Sequence, residues 1–242
     1  KTREIEMMHP CWAARVKPFK PERLSLLLLT AALAGCMEAA GPAPALTPLP
    51  PDPARVKMYS QRQDHGYTVP GVDVAKIDPK YLPQLVDYDT DQPAGTIVVD
   101  SYNRFLYLVM QHGKAMRYGV GVAKAGLEFE GTATIARKAA WPHWTPTPDM
   151  IKREPERYGP LAKGMEGGTK NPLGARALYL FKDGKDTLYR LHGTTEPWSI
   201  GKSVSSGCIR LLDQDIMDLY QRVPRGSRVV VLGPDGKSQG ES

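Results

Sequence analysis

The chain has 242 residues, 41% of them hydrophobic and 24% charged, with 32 Lys and Arg against 26 Asp and Glu and a formal net charge of +6. The positive balance does not mark a nucleic-acid binder, because no basic run is interleaved with aromatic residues. Five scattered histidines and three cysteines supply no clustered ligand set for zinc.

In chain order, the sequence opens on Lys1, and Met7 or Met8 suits a translation start better. Arg15, Lys17, Lys20 and Arg23 then precede an apolar run, Leu24 to Leu33, broken only by Ser25 and Thr30. A basic stretch, a short apolar core and small residues describe a secretory signal over residues 1–35. The run is too short to span a bilayer as a permanent helix. Its end, Leu33-Ala34-Gly35-Cys36, is similar to a bacterial lipobox. That likeness implies cleavage before Cys36, lipid on its sulfur, and a periplasmic protein held to a membrane. Met37 in place of Asp favours the outer membrane over the inner.

Residues 36–94 read as a lipidated N-terminus, a Pro/Ala-rich linker (Pro42, Pro44, Pro48, Pro50, Pro51 and Pro53) and an irregular lead-in partly packed on the domain. The working domain is expected over residues 95–233. Thr96 to Val99, Phe105 to Val109 and Met116 to Val120 read as an antiparallel meander with short turns, and Thr132 to Ala136 continues it. His112 falls in a turn and reads as exposed and inert. Trp141 to Tyr158 follows neither period. A loop of that length with two tryptophans suggests a lid, within which His143 is a weak candidate for any role. Asn171-Pro172-Leu173-Gly174 reads as a tight turn into the strand Ala177 to Leu180, and Asp183-Gly184 marks a hairpin. The returning strand, Thr187 to Leu191, ends on His192. Asp213 is expected to cap a helix whose apolar positions Ile216, Leu219, Tyr220 and Val223 share one face, with Pro224 and Gly226 stopping it. Ser227 to Leu232 reads as a last strand and residues 234–242 as a polar tail.

Cys208 is the only cysteine after Cys36, so in an exported chain it has no intramolecular disulfide partner. It sits in Ser205-Ser206-Gly207-Cys208-Ile209-Arg210, sixteen residues after His192-Gly193-Thr194. A lone thiol with a histidine within folding reach is the material of a nucleophile and its base. The alternative is that Cys208 is a small buried hydrophobe and His192 a satisfied surface histidine.

His-Gly-Thr followed by Ser-x-Gly-Cys-Ile-Arg resembles the L,D-transpeptidase catalytic domain (YkuD-type), and the likeness runs from about Gly95 to Leu232, including Asn171 to Gly174. It implies a mainly β, sandwich- or barrel-like domain with a helix after the nucleophile. It further implies acyl transfer on peptidoglycan stem peptides, without a cofactor. Cys208 would attack the tetrapeptide carbonyl and release D-alanine, and an amine would resolve the thioester. His192 would be the base, oriented by the Gly193 carbonyl. The Ser206-Gly207-Cys208 turn would hold the oxyanion, and Arg210 would bind a substrate carboxylate or brace the turn. Many members carry a second histidine where this chain has Ser206. Two alternatives use the same residues differently: a carboxypeptidase or wall-link hydrolase with water as acceptor, and a silent wall-binding lipoprotein.

Overall fold

The computed structural model describes residues 52–233. The signal segment, Cys36, most of the Pro-rich linker and the tail 234–242 lie outside the described residues. In chain order the strands are β1 (Arg62–Asp64), β2 (Tyr67–Val69), β3 (Gln84–Asp87), β4 (Ile97–Asp100), β5 (Phe105–Val109), β6 (Lys114–Gly119), β7 (Val122–Ala123), β8 (Gly131–Ala140), β9 (Arg176–Lys182), β10 (Lys185–His192), β11 (Ser203–Ser205), β12 (Ile209–Arg210) and β13 (Arg228–Val231). The helices are α1 (Pro53–Met58), α2 (Pro148–Arg153), α3 (Pro155–Tyr158) and α4 (Asp213–Arg222). A nine-stranded mixed sheet runs β12-β10-β9-β8-β13-β4-β5-β6-β3; β1 pairs with β2, and β7 with β11.

The fold is mainly β. Its centre is built from residues that suit two covered faces. The parallel neighbours β4 and β13 carry Ile97-Val98-Val99 and Val229-Val230-Val231, all buried, as unbroken β-branched runs require. The β9–β10 turn has positive φ at both Asp183 (50°) and Gly184 (73°), the backbone an Asp-Gly hairpin adopts.

Helix α4 sends Ile216, Leu219 and Val223 into the main core, the face expected from the sequence. Its other side is also buried, because the N-terminal segment lies across it. The Tyr59 hydroxyl donates to Asp215 Oδ1 (2.5 Å), Gln214 Nε2 donates to the Pro70 carbonyl (2.9 Å), and Arg62 Nη2 reaches Met217 Sδ (3.1 Å). Burial pushes the Asp215 carboxyl up to about 8, the direction that favours its neutral form.

The lead-in is more ordered than its polar, proline-broken sequence indicates. β3 pairs with β6 at the edge of the large sheet. Tyr59, Val74, Ile77 and Leu82 form a core cluster with Ile200 and Leu212. Asp64 makes two bonds to the Arg176 guanidinium (2.7 and 2.8 Å) and accepts from Trp141 Nε1 (2.7 Å). These contacts are all long-range, which is why no local period announces them.

Candidate active site

Two chain reversals bring the motif residues together. β10 and β12 run parallel, with Leu191 opposite Ile209 and His192 opposite Arg210. That register sets Cys208, the residue before β12, beside Arg190. Cys208, His192, Ser206, Gly207 and Arg210 all line one cleft of about 870 Å³. Gly193 does not line it but contributes its carbonyl to the histidine.

His192 is buried, and Nδ1 lies 2.6 Å from the Gly193 carbonyl oxygen. A carbonyl only accepts, so Nδ1 carries the hydrogen and Nε2 of the neutral ring keeps its lone pair. Burial, with Arg210 and Arg190 adding repulsion, pushes the imidazole down to about 3. Burial also pushes the Cys208 thiol up, opposed by the Arg190 and Arg210 charges and the Arg190 N–H. Burial thus disfavours the charged form of both groups, against the thiolate–imidazolium pair that the residue types suggest. The thiol hydrogen points to the Leu188 carbonyl, 3.8 Å away.

That carbonyl comes from a bulge in β10, where register shifts between Asp186 and Arg190. Leu188 sits at φ 63°, a strained conformation for this residue. Its N–H is taken by Asp186 Oδ1 (2.8 Å), and the Tyr189 N–H by Thr187 Oγ1 (3.2 Å). Asp186 also grips Arg190 through two bonds of 2.7 and 2.8 Å. Bulges of this kind re-aim groups beside active sites.

The turn before the thiol is fixed from inside. Ser205 Oγ donates to the Cys208 carbonyl (2.5 Å) and accepts from the Gly207 N–H (3.3 Å). Gly207 lies at φ 147°, where only glycine is unstrained. Ser206 is half-buried; its Oγ is 3.2 Å from the Tyr158 hydroxyl. Arg210 Nη1 holds Glu196 Oε2 at 2.6 Å, so of its two expected roles the bracing one is visible: it ties β12 to the loop after His192.

Asp213 is the first helical residue of α4, not its cap; Leu212 holds the cap position without a side-chain bond. The Asp213 carboxylate turns instead to the junction behind the histidine. Oδ1 accepts from the Ala175 N–H (2.8 Å), and the Thr194 N–H also donates to the carboxylate. A β-carbon at Gly193 would stand 1.9 Å from this oxygen and one at Gly174 2.1 Å from it. The two glycines are there to admit the carboxylate, which then locks Gly193 and, through its carbonyl, the ring of His192. Capping and bridging look alike in sequence, which is why this role was not legible there.

The loop from Trp141 carries two short helices, each begun by proline, with Thr147 Oγ1 accepting from the Met150 N–H (3.2 Å). Thr147-Pro148 was a legible start signal. Trp144, Met150, Arg153 and Tyr158 line the cleft, and so does His143, which is 3.9 Å from Glu166. Asn171 anchors the base of the loop: its amide donates to the carbonyls of Pro142, Met165 and Glu166, and its oxygen accepts from the Leu173 N–H.

Residues 94–231 match the family described as YkuD: L,D-transpeptidase catalytic domain. The chain belongs to this family. Among the relatives of this chain is an Escherichia coli (strain K12) protein named Probable L,D-transpeptidase ErfK/SrfK, 34% identical over 151 residues, 62% of this chain and 47% of the relative. Another, a Putative L,D-transpeptidase in ATP synthase subunits region ORF 5 of Fuscovulum blasticum, is 35% identical over 138 residues, 56% of this chain and 68% of the relative. The chain spans about half the length of the first of these curated relatives. Among solved structures, an L,D-transpeptidase from Mycobacterium smegmatis shares 18% identity at a TM-score of 0.42, covering 57% of this chain and 58% of its own. A Brucella melitensis protein described as a probable carnitine operon oxidoreductase is 54% identical at a TM-score of 0.45, covering 66% of this chain and 99% of its own. Scores this low carry no weight on fold or chemistry.

Proposed function

We propose that the protein is a cysteine-dependent L,D-transpeptidase acting on peptidoglycan stem tetrapeptides. The observation that supports this most is that Cys208 and His192 line one cleft, the histidine held through Nδ1 by the Gly193 carbonyl, which leaves the Nε2 lone pair to accept a proton. Family membership makes acyl transfer the natural chemistry.

In the first step Cys208 Sγ forms a bond to the carbonyl between the diamino acid's L-centre and the terminal D-alanine. The thiol proton passes to His192 Nε2. Because burial disfavours the charged form of both groups, proton transfer is taken to accompany attack. The tetrahedral oxygen needs N–H donors. Gly207 gives its N–H to Ser205, which leaves those of Ser206 and Cys208 in this turn. The C–N bond then breaks, D-alanine leaves with the proton from the imidazole, and a thioester remains. An amine from a second stem, a D-amino acid or a lipoprotein lysine attacks it, giving its proton to His192 and returning the thiol. Water in that place would make the protein a carboxypeptidase.

This reading takes residues 36–94 as the tether and lead-in of an exported lipoprotein anchored through Cys36, with 95–233 as the catalytic domain. Mass spectrometry of the membrane fraction tests the anchor; a mature N-terminus other than an acylated Cys36 rejects it. The chemistry is tested by quenching a reaction with tetrapeptide and measuring the intact protein. A mass gain equal to the donor minus D-alanine, located at Cys208, is expected. Labelling at any other residue would reject the assignment.

A further inference from the structure

The cleft is lined by five basic side chains: Arg153, Arg157, Lys170, Arg190 and Arg210. Three of them already have carboxylate partners. Arg190 is held by Asp186 through two bonds, Arg210 by Glu196 at 2.6 Å, and Arg157 by Glu154 at 3.3 Å. Among the described residues, no carboxylate lies within salt-bridge distance of Arg153. Its one bond is a long one, 3.5 Å from Nη2 to the Ser206 carbonyl.

Position separates Arg153 from Lys170, the other basic group without such a partner. Arg153 ends helix α2, in the loop after Trp141, and reaches the residue two places before the thiol. It also stands near the Tyr189 phenol, whose ring faces Gly207: burial raises that phenol, and Arg153 opposes the rise. A guanidinium is a planar fork that matches a carboxylate with two parallel bonds. Here the fork overhangs the thiol side of the cleft with most of its donors free.

Resting on the transpeptidase reading above, we propose that Arg153 binds the free terminal carboxylate of the acyl donor, beside the scissile carbonyl. The carboxylate replaces the weak bond to Ser206, so the donor itself draws α2 over Cys208. Arg210, the arginine within the cysteine motif, is occupied by Glu196 and keeps a bracing role.

The test compares a stem tetrapeptide with its C-terminal carboxamide, using the purified protein and its Arg153→Gln and Arg153→Lys variants. Loss of a charged hydrogen-bonded pair lowers kcat/KM by about tenfold or more. The wild-type protein is expected to prefer the free carboxylate by that margin. Arg153→Gln should abolish the preference by slowing only the carboxylate donor, and Arg153→Lys should restore part of it. An Arg153→Gln variant that keeps the wild-type preference, or that slows both donors equally, overturns the proposal. Affinities of both peptides for Cys208→Ala and for Cys208→Ala with Arg153→Gln make the same comparison without turnover. If the wild-type protein turns over neither donor, the transpeptidase reading fails, while these affinities still decide the role of Arg153.

Discussion

Replacing Asp213 with alanine tests whether the carboxylate behind His192 holds the site together. The change leaves the Ala175 and Thr194 N–H groups buried without an acceptor, at a cost of about 1–3 kcal/mol each. It also removes a carboxyl that is itself unfavourably buried. Desolvation raises its pKa from the ordinary 3.8 to about 6, against the Ala175 and Thr194 N–H groups and the Arg176 and Arg62 charges. That rise is worth roughly 3 kcal/mol between the two protonation states. Because the folded-state pKa lies above the unfolded one, the carboxyl adds stability that is complete below pH 3.8 and lost as pH rises through about 6. At pH 7 the two effects partly cancel, and a net loss of about 1–3 kcal/mol is expected. At pH 5 the wild-type protein regains roughly 1 kcal/mol that the variant cannot. The penalty should therefore grow as pH falls, and Asp215, which titrates in both proteins, drops out of the difference. Urea unfolding of both proteins at pH 7 and pH 5 measures this. A penalty that shrinks on acidification, or a variant as stable as wild type at both values, would refute the bridging role.

Gly193→Ala should fold poorly or lose activity, since its β-carbon would stand 1.9 Å from Asp213 Oδ1; normal thermal stability together with normal turnover would count against the packed junction. Asp64→Ala leaves the buried Arg176 guanidinium unpaired and should cost about 3 kcal/mol or more in urea; a loss below about 1 kcal/mol would mean that the lead-in is not held by this pair. Alkylation of Cys208 should still be accelerating above pH 8, because burial raises the thiol; a rate already level at pH 7 would indicate a preformed thiolate.

Much of the core was legible because local patterns and tertiary needs agreed. The meander strands, the Asp183-Gly184 hairpin and the apolar face of α4 each followed from period and turn chemistry. The cleft residues were legible as a spaced motif. What escaped were roles carried by contacts across the chain. Asp213 signalled a helix cap but serves as an acceptor for two distant N–H groups. Ser205 was legible only as the first residue of the cysteine motif, with no role assigned, yet its hydroxyl braces the turn from both sides. The polar segment around Asp64 and Tyr59 showed no period because its partners are Arg176, Trp141 and Asp215, at least 77 residues away. Thr147-Pro148 was different: its signal was local, and the length and prolines of the surrounding loop obscured it.

The central claim is that Cys208 is the nucleophile of an acyl transfer, with His192 as its base. Purified wild-type, Cys208→Ala and His192→Ala proteins, each incubated with a stem tetrapeptide and a second stem as acceptor, test it most directly, with products separated by mass. The account predicts one D-alanine released per cross-link in the wild type, no product from Cys208→Ala, and strongly reduced product from His192→Ala. Wild-type yields of cross-linked product from Cys208→Ala would contradict it.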